Sequence, residues 1–359
     1  MHSNQNGWTT RTPIRSRHCA SLLARIALPT ILLTIAIAAL TPVALADSGE
    51  LRLLGQYVHQ DSVMGATVVD NLAYVTTSPP GSHGSMCIVD MADPSEPNEL
   101  ASSAIGEDTD AIAISGTMAY VGTPYKLLLF DVADSSNIVA RGVYTNTEQH
   151  TYGVAVSGTV ACLSAGWKNK GKLCIVDVSD PEDPHQIGLL NFLQQARGVA
   201  LNGSRAFVAA SSGGLQIVDI SDPSRPTSLV SIKTPGSAYG VAVDGHYAYI
   251  AGWEAGLRIV DVSNLAALRE VGFCDTPGFA RDVAVEGSLA YVADHSGGLR
   301  VIDVSDPTAP HELASYETAD NARHVAIWGS RAYVSAGDAG LLVLQWQSTP
   351  ICIPLILRT

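Results

Sequence analysis

An alanine, an aromatic residue and a branched residue recur together at near-constant spacing along this chain. The triplets are Ala73-Tyr74-Val75, Ala119-Tyr120-Val121, Ala206-Phe207-Val208, Ala248-Tyr249-Ile250, Ala290-Tyr291-Val292 and Ala332-Tyr333-Val334, with Ala161-Cys162-Leu163 as a variant. Their alanines lie 46, 42, 45, 42, 42 and 42 residues apart. A second run ends in aspartate at Asp90, Asp131, Asp177, Asp219, Asp261 and Asp303. A seventh run, Leu342-Val343-Leu344-Gln345, lacks the Asp. Seven units of about 42 residues restrict the chain to an array of stacked supersecondary units.

The unit reads as four short strands. From Arg281 onward these are Asp282 to Val285, Leu289 to Ala293, Leu299 to Val304 and Glu312 to Glu317, separated by Gly, Ser and Asp-Pro turns. Short branched and aromatic runs between such turns are strand chemistry. Both strand faces are largely apolar, so both must be covered. Only 15% of the residues are charged, against roughly 25% in an ordinary soluble domain. Four-stranded units covered on both faces fit blades of a β-propeller. An extra strand, Leu53 to Tyr57, precedes the first unit, and the last unit lacks its fourth. The predicted fold is an all-β, seven-bladed propeller with four antiparallel strands per blade, closed by the N-terminal strand completing the last blade. An open solenoid would need a cap at each end, and no such segment stands out.

The stretches Gly214-Leu215-Gln216-Ile217-Val218-Asp219-Ile220-Ser221-Asp222-Pro223, Gly256-Leu257-Arg258-Ile259-Val260-Asp261-Val262-Ser263 and Gly298 to Pro307 resemble the LVIVD-repeat proteins. The resemblance spans nearly all of 51–346 and weakens at the second and seventh units. It implies an exported bacterial or archaeal propeller, often at the cell surface, and no particular chemistry. The NHL and YVTN propellers are similar at the level of fold only.

Residues 1–46 carry Arg11, Arg15, Arg17 and Arg25, an apolar run from Ile26 to Leu45, and Ala44-Leu45-Ala46 before Asp47. That order reads as a secretory signal peptide, with an uncleaved anchor as the alternative. The predicted domains are the signal at 1–46, the propeller at 47–347 and a short apolar tail at 348–359. The expected location is secreted or on the cell surface, with no stable transmembrane span after cleavage. The formal net charge of the whole chain is −13, and residues 1–46 hold four Arg and no acidic residue. The remainder therefore stands at −17, which excludes a nucleic-acid binder. A monomer is expected.

The recurring Asp precedes turns such as Val-Ser-Asp-Pro and is read as a turn cap; the Tyr of Ala-Tyr-Val is read as blade packing. His59, His185 and His246 have no partner at metal spacing, and no motif for a cofactor, a phosphate loop or a serine elbow is present. No cofactor and no metal is predicted. Cys162 and Cys174 occupy the positions of Tyr291 and Arg300 in the sixth unit, taken to face each other across the hairpin. A Cys162–Cys174 disulfide is thus a candidate.

Variation in length concentrates between the second and third strands: Ser78 to Ser85, and Gly166 to Gly171 with Trp167, are the longest hairpins. Trp253-Glu254 and Asp294-His295 add further side chains there. Variable loops on a rigid scaffold are where binding resides. The residue two before the innermost Val-Ala-Val is Met64, Asp110, Tyr152, Arg197, Tyr239, Arg281 and Arg323 in turn, so these should ring one channel mouth. Arg197, Arg281 and Arg323, with Tyr152 and Tyr239, form a candidate anion site, helped by Trp167 and Trp253. The expected partner is a protein or an acidic glycan. The rival reading is a propeller enzyme of lactonase, lyase or quinone-dependent type, using Asp110, Asp282 and His324; a third is a structural cell-surface module.

Overall fold

The computed structural model describes residues 49–78, 84–109, 111–145 and 150–348. The signal-like segment, most of the apolar tail, part of the Ser78 to Ser85 hairpin and Asp110 lie outside them. The described chain forms seven four-stranded antiparallel sheets. Six are built from consecutive strands. The seventh joins His324–Trp328, Arg331–Ser335 and Leu341–Ser348 to the N-terminal Gly49–Tyr57. Gly49 pairs with Ser348 and Tyr57 with Leu341, so the first strand closes the ring. The fold is a seven-bladed β-propeller. Among the described residues no helix is long and apolar enough to cross a membrane.

The apolar character of both strand faces has a direct cause. In the sixth blade Ala290, Tyr291 and Val292 are all buried. Tyr291, with Leu299 and Val301, packs towards Val325 and Val334 of the seventh blade. Ala290 and Val292, with Ile302, pack towards Tyr249, Leu257 and Ile259 of the fifth. Successive residues point to opposite faces of a strand, so each blade contributes to two cores. Burying a large apolar side chain contributes about 1.5–3 kcal/mol, and every inter-blade seam repeats that burial.

The recurring Asp caps its turn. Oδ1 of Asp90, Asp131, Asp177, Asp219, Asp261 and Asp303 accepts the backbone N–H two residues on, at 2.7–3.0 Å. The following Asp-Pro turn is pressed against the previous blade. A Cβ on Gly142, Gly188 or Gly272, each on an outer strand, would lie 2.1–2.2 Å from the carbonyl oxygen of Pro181, Pro223 or Pro307. Glycine is required there by close approach of backbone.

The disulfide is not formed. Cys162 and Cys174 are both buried free thiols. The hairpin pairs Cys162 with Ile175 and Leu163 with Cys174, one step out from the expected register. A one-residue step turns side chains to opposite faces, and the two cysteines enter different cores. In the sixth blade, likewise, Tyr291 faces Val301 rather than Arg300.

Candidate functional site

Four residues of the predicted ring are set by one repeated backbone bond. The N–H groups of Arg197, Tyr239, Arg281 and Arg323 donate to the carbonyls of Ala209, Ala251, Ala293 and Ser335 at 2.7–2.8 Å. At four junctions the hairpin of one blade also bridges the connection entering the next. Ser211 pairs with Ala238, Trp253 with Ala280, His295 with Ala322 and Gly337 with Val63. The residue after each of those alanines is a ring residue, so the hairpin tips and the ring share one face.

A cavity of about 70 Å³ sits at the ring, lined by Met64, Tyr152, Arg197, Tyr239, Arg281, Asp282, Arg323 and His324 among others. A site for one water needs about 10–15 Å³ on this measure, so the cavity has room for a small polyatomic group. Three guanidinium groups face it, against one described carboxylate.

Arg197 is clamped. Its guanidinium carbon lies 4.1 Å from the centroid of Tyr152 and 4.7 Å from that of Tyr239, and Nη2 donates to Gln195 at 2.7 Å. Each cation–π contact contributes about 0.5–2 kcal/mol. The tyrosines therefore give their faces to Arg197. The stack extends further: His150 lies on Tyr152 at 4.6 Å, Trp253 on Tyr239 at 4.4 Å, and Phe279 on Trp253 at 4.9 Å. The buried Nε of Arg197 and of Arg323 find no acceptor among the described residues.

Asp282 ties two blades together: Oδ2 accepts the Val325 N–H at 3.0 Å and lies 3.4 Å from Nδ1 of His324. His295, beside the mouth, has its pKa lowered by burial and by the nearby Arg281 and Arg323, so it is neutral at pH 7. Trp167 is 54% exposed at its hairpin tip and does not line the cavity. Asp294, expected among the side chains the hairpins offer for binding, is fully buried. It accepts Thr276 Oγ1 at 2.5 Å and the Gly278 N–H at 2.8 Å, and its pKa is raised by burial. Nothing in the sequence announced Gln195 or Phe279 as neighbours of the ring.

The LVIVD-repeat model matches residues 62–104, 106–146, 149–191, 194–234, 235–276 and 277–318. No curated protein matches the chain. Solved structures with a similar fold include the WD40 repeats of RRP9, at TM-score 0.65 and 13% identity, covering 83% of this chain and 97% of that one. The Neurospora crassa Pan2 WD40 domain superposes at 0.64 with 12% identity, covering 86% and 98%. A computationally designed protein, Ika8, does so at 0.60 with 9% identity, covering 82% and 99%. These likenesses show the propeller fold alone. The six matched units run in register with the first six blades and cover most of the sequence: the chain belongs to the LVIVD-repeat family.

Proposed function

We propose that this is an exported binding propeller that takes the acidic group of a glycan into its channel mouth. One observation carries the reading. At a cavity with room for a small anion, two buried guanidinium Nε–H groups from separate blades find no acceptor among the described residues. Buried donors are rarely left unsatisfied, and arginine takes carboxylate or sulfate bidentately. Tyr152 and Tyr239 hold Arg197 in place, which lowers the cost of ordering it on binding. The sugar ring itself stays outside the cavity, against the partly exposed Phe279 and Trp253. The basic amino-terminal segment and its apolar run support export. Enzymatic readings draw less support, because Asp282 is already engaged by the Val325 backbone.

The test is binding of the purified protein to uronate-bearing, sulfated and neutral oligosaccharides. Binding of the acidic sugars alone, weakened by salt and abolished by Arg281→Ala with Arg323→Ala, is the expected result. The thermal midpoint of that double variant should stay near the native one. Binding to carboxylate peptides and to no sugar would move the partner class to protein. A large loss of stability with no anion bound would make the arginines parts of the channel wall.

A further inference from the structure

A second cluster of donor groups lies at the seam where the ring closes. Tyr57 ends the closing strand, and His59 follows in the connection to the first blade. Cys87 is on that blade's third strand, Ser85–Asp90, and Glu99 on its outer strand, Asn98–Ala104. One donor atom each from His59, Cys87 and Glu99 lie within 4.8 Å of one another. Cys87 is buried, His59 partly so, and Glu99 reaches solvent.

The repeat itself gives the comparison. The residue three before the recurring Asp stands beside the second residue of the outer strand. In the fifth blade this pair is Arg258 and Glu270, with Nη1 and Oε1 3.5 Å apart. In the sixth it is Arg300 and Glu312, at 3.3 Å. In the third it is Cys174 and the neutral Gln186, whose Oε1 accepts the Tyr144 hydroxyl at 2.9 Å. The first blade keeps the acid but not its cation. Glu99 stands beside Cys87, and the hydroxyl of Tyr57 donates to it as Tyr144 does to Gln186. A positive charge that arginine supplies in two blades is replaced here by a thiol and an imidazole.

We propose that His59, Cys87 and Glu99 bind a divalent cation of the zinc class, which fastens the closing strand's connection to the first blade. Nitrogen, sulfur and carboxylate oxygen are the donors zinc takes, at about 2.0–2.3 Å. Tetrahedral geometry at those lengths holds donors roughly 3.3–3.8 Å apart, so the three must close in by about 1 Å. Glu99, being exposed, has the freedom to do this. The Asp61 N–H donates to His59 Nδ1 at 3.0 Å; a metal on Nε2 needs the ring proton on Nδ1, from which the Asp61 carboxylate, 3.7 Å away, would accept in place of that bond. The Tyr57 hydroxyl, donating to Glu99, holds that carboxylate. Such outer partners are a regular part of metal sites. On binding, the Cys87 thiol releases its proton to solvent and the thiolate bonds the metal. Sequence spacing hid this set, because its donors come from three separate segments 12 to 28 residues apart.

The test is titration of the reduced, full chain with cobalt(II), whose thiolate charge-transfer band reports the sulfur ligand. The native protein should show the band saturating at equimolar metal, and zinc should displace it. Cys87→Ser should abolish it, while Cys174→Ser leaves it intact. His59→Ala, at a site outside the strands, should bind about tenfold more weakly or worse. Zinc should raise the thermal midpoint of the native chain and not that of His59→Ala. Absence of the band from native protein, or its persistence in Cys87→Ser, overturns the proposal. If Cys87→Ser does not fold, unchanged cobalt affinity in His59→Ala overturns it instead.

Discussion

The aspartates that cap the blade turns also set how the fold responds to acid. Hydrogen bonds to the charged form hold the pKa of Asp177, Asp219 and Asp261 below the ordinary carboxylate value. The donors are the Ser179 and Ser263 hydroxyls with their backbone N–H groups and, at Asp219, first the Ser221 N–H. Arg141 does this for Asp131. A lowered carboxylate pKa gives stability that is present above the unfolded value, about 3.9, and lost as pH falls through the folded one. Buried Asp294, with its raised pKa, works in the opposite sense but is a single group. His295 adds a separate window: its lowered pKa makes the unfolded state bind a proton first, so stability falls as pH drops below about 6.5. The thermal midpoint, followed by circular dichroism, should therefore decline gently from pH 7 to 5 and steeply below about 4. His295→Gln should remove the upper slope and leave the lower one. A midpoint that rises on acidification would contradict both assignments.

Strands and hairpins were read well where the repeat itself carried the information, and poorly where a single residue of register mattered. The sixth blade's strands, Asp282–Glu286, Leu289–Ala293, Leu299–Asp303 and His311–Tyr316, fall within a residue or so of the sequence boundaries. Turn residues and apolar runs mark such edges directly. The pairing of Cys162 was not legible, because a hairpin's register depends on how its loop residues fold back, and a slip of one exchanges the two faces. Asp294 was misplaced for a related reason: its polarity suggested solvent, but the connection from Thr276 to Gly278 folds over it and supplies donors. The outer-strand glycines show the same kind of hidden demand. Gly272→Ala would set a methyl 2.1 Å from the Pro307 oxygen, and should destabilise the protein by about 1–3 kcal/mol. Gly287 has φ +60 with open space beside it, so Gly287→Asn, which tolerates that backbone, should cost much less. Equal losses at the two sites, measured by denaturant unfolding, would mean that inter-blade approach is not what selects glycine at 272.

At the scale of the whole molecule, seven-fold repetition makes the ring, and the common position of its mouth residues, legible in the sequence. The positions of Tyr152, Arg197, Tyr239, Arg281 and Arg323 followed from counting to the same place in each unit. What counting could not reveal was how those side chains use one another, as when two tyrosines enclose an arginine. Nor could it reveal donors that meet only across the closing seam. That seam is also the ring's one non-sequential junction. Deleting residues 51–58 would leave Leu341–Ser348 as an unpaired edge, with Leu342 and Leu344 uncovered, which invites association. The deletion should lower the thermal midpoint and give concentration-dependent oligomers by light scattering; a monomer with an unchanged midpoint would refute closure by this strand. The pairing of Gly49 with Ser348 has a mechanical consequence. Both chain ends leave the propeller from the same end of one antiparallel pair. Pulling them apart loads the ladder bonds one after another, like a zipper, instead of shearing all of them together. A chain tethered at one end and pulled from the other should thus open first at this blade, at low force, with the six remaining blades unravelling afterwards.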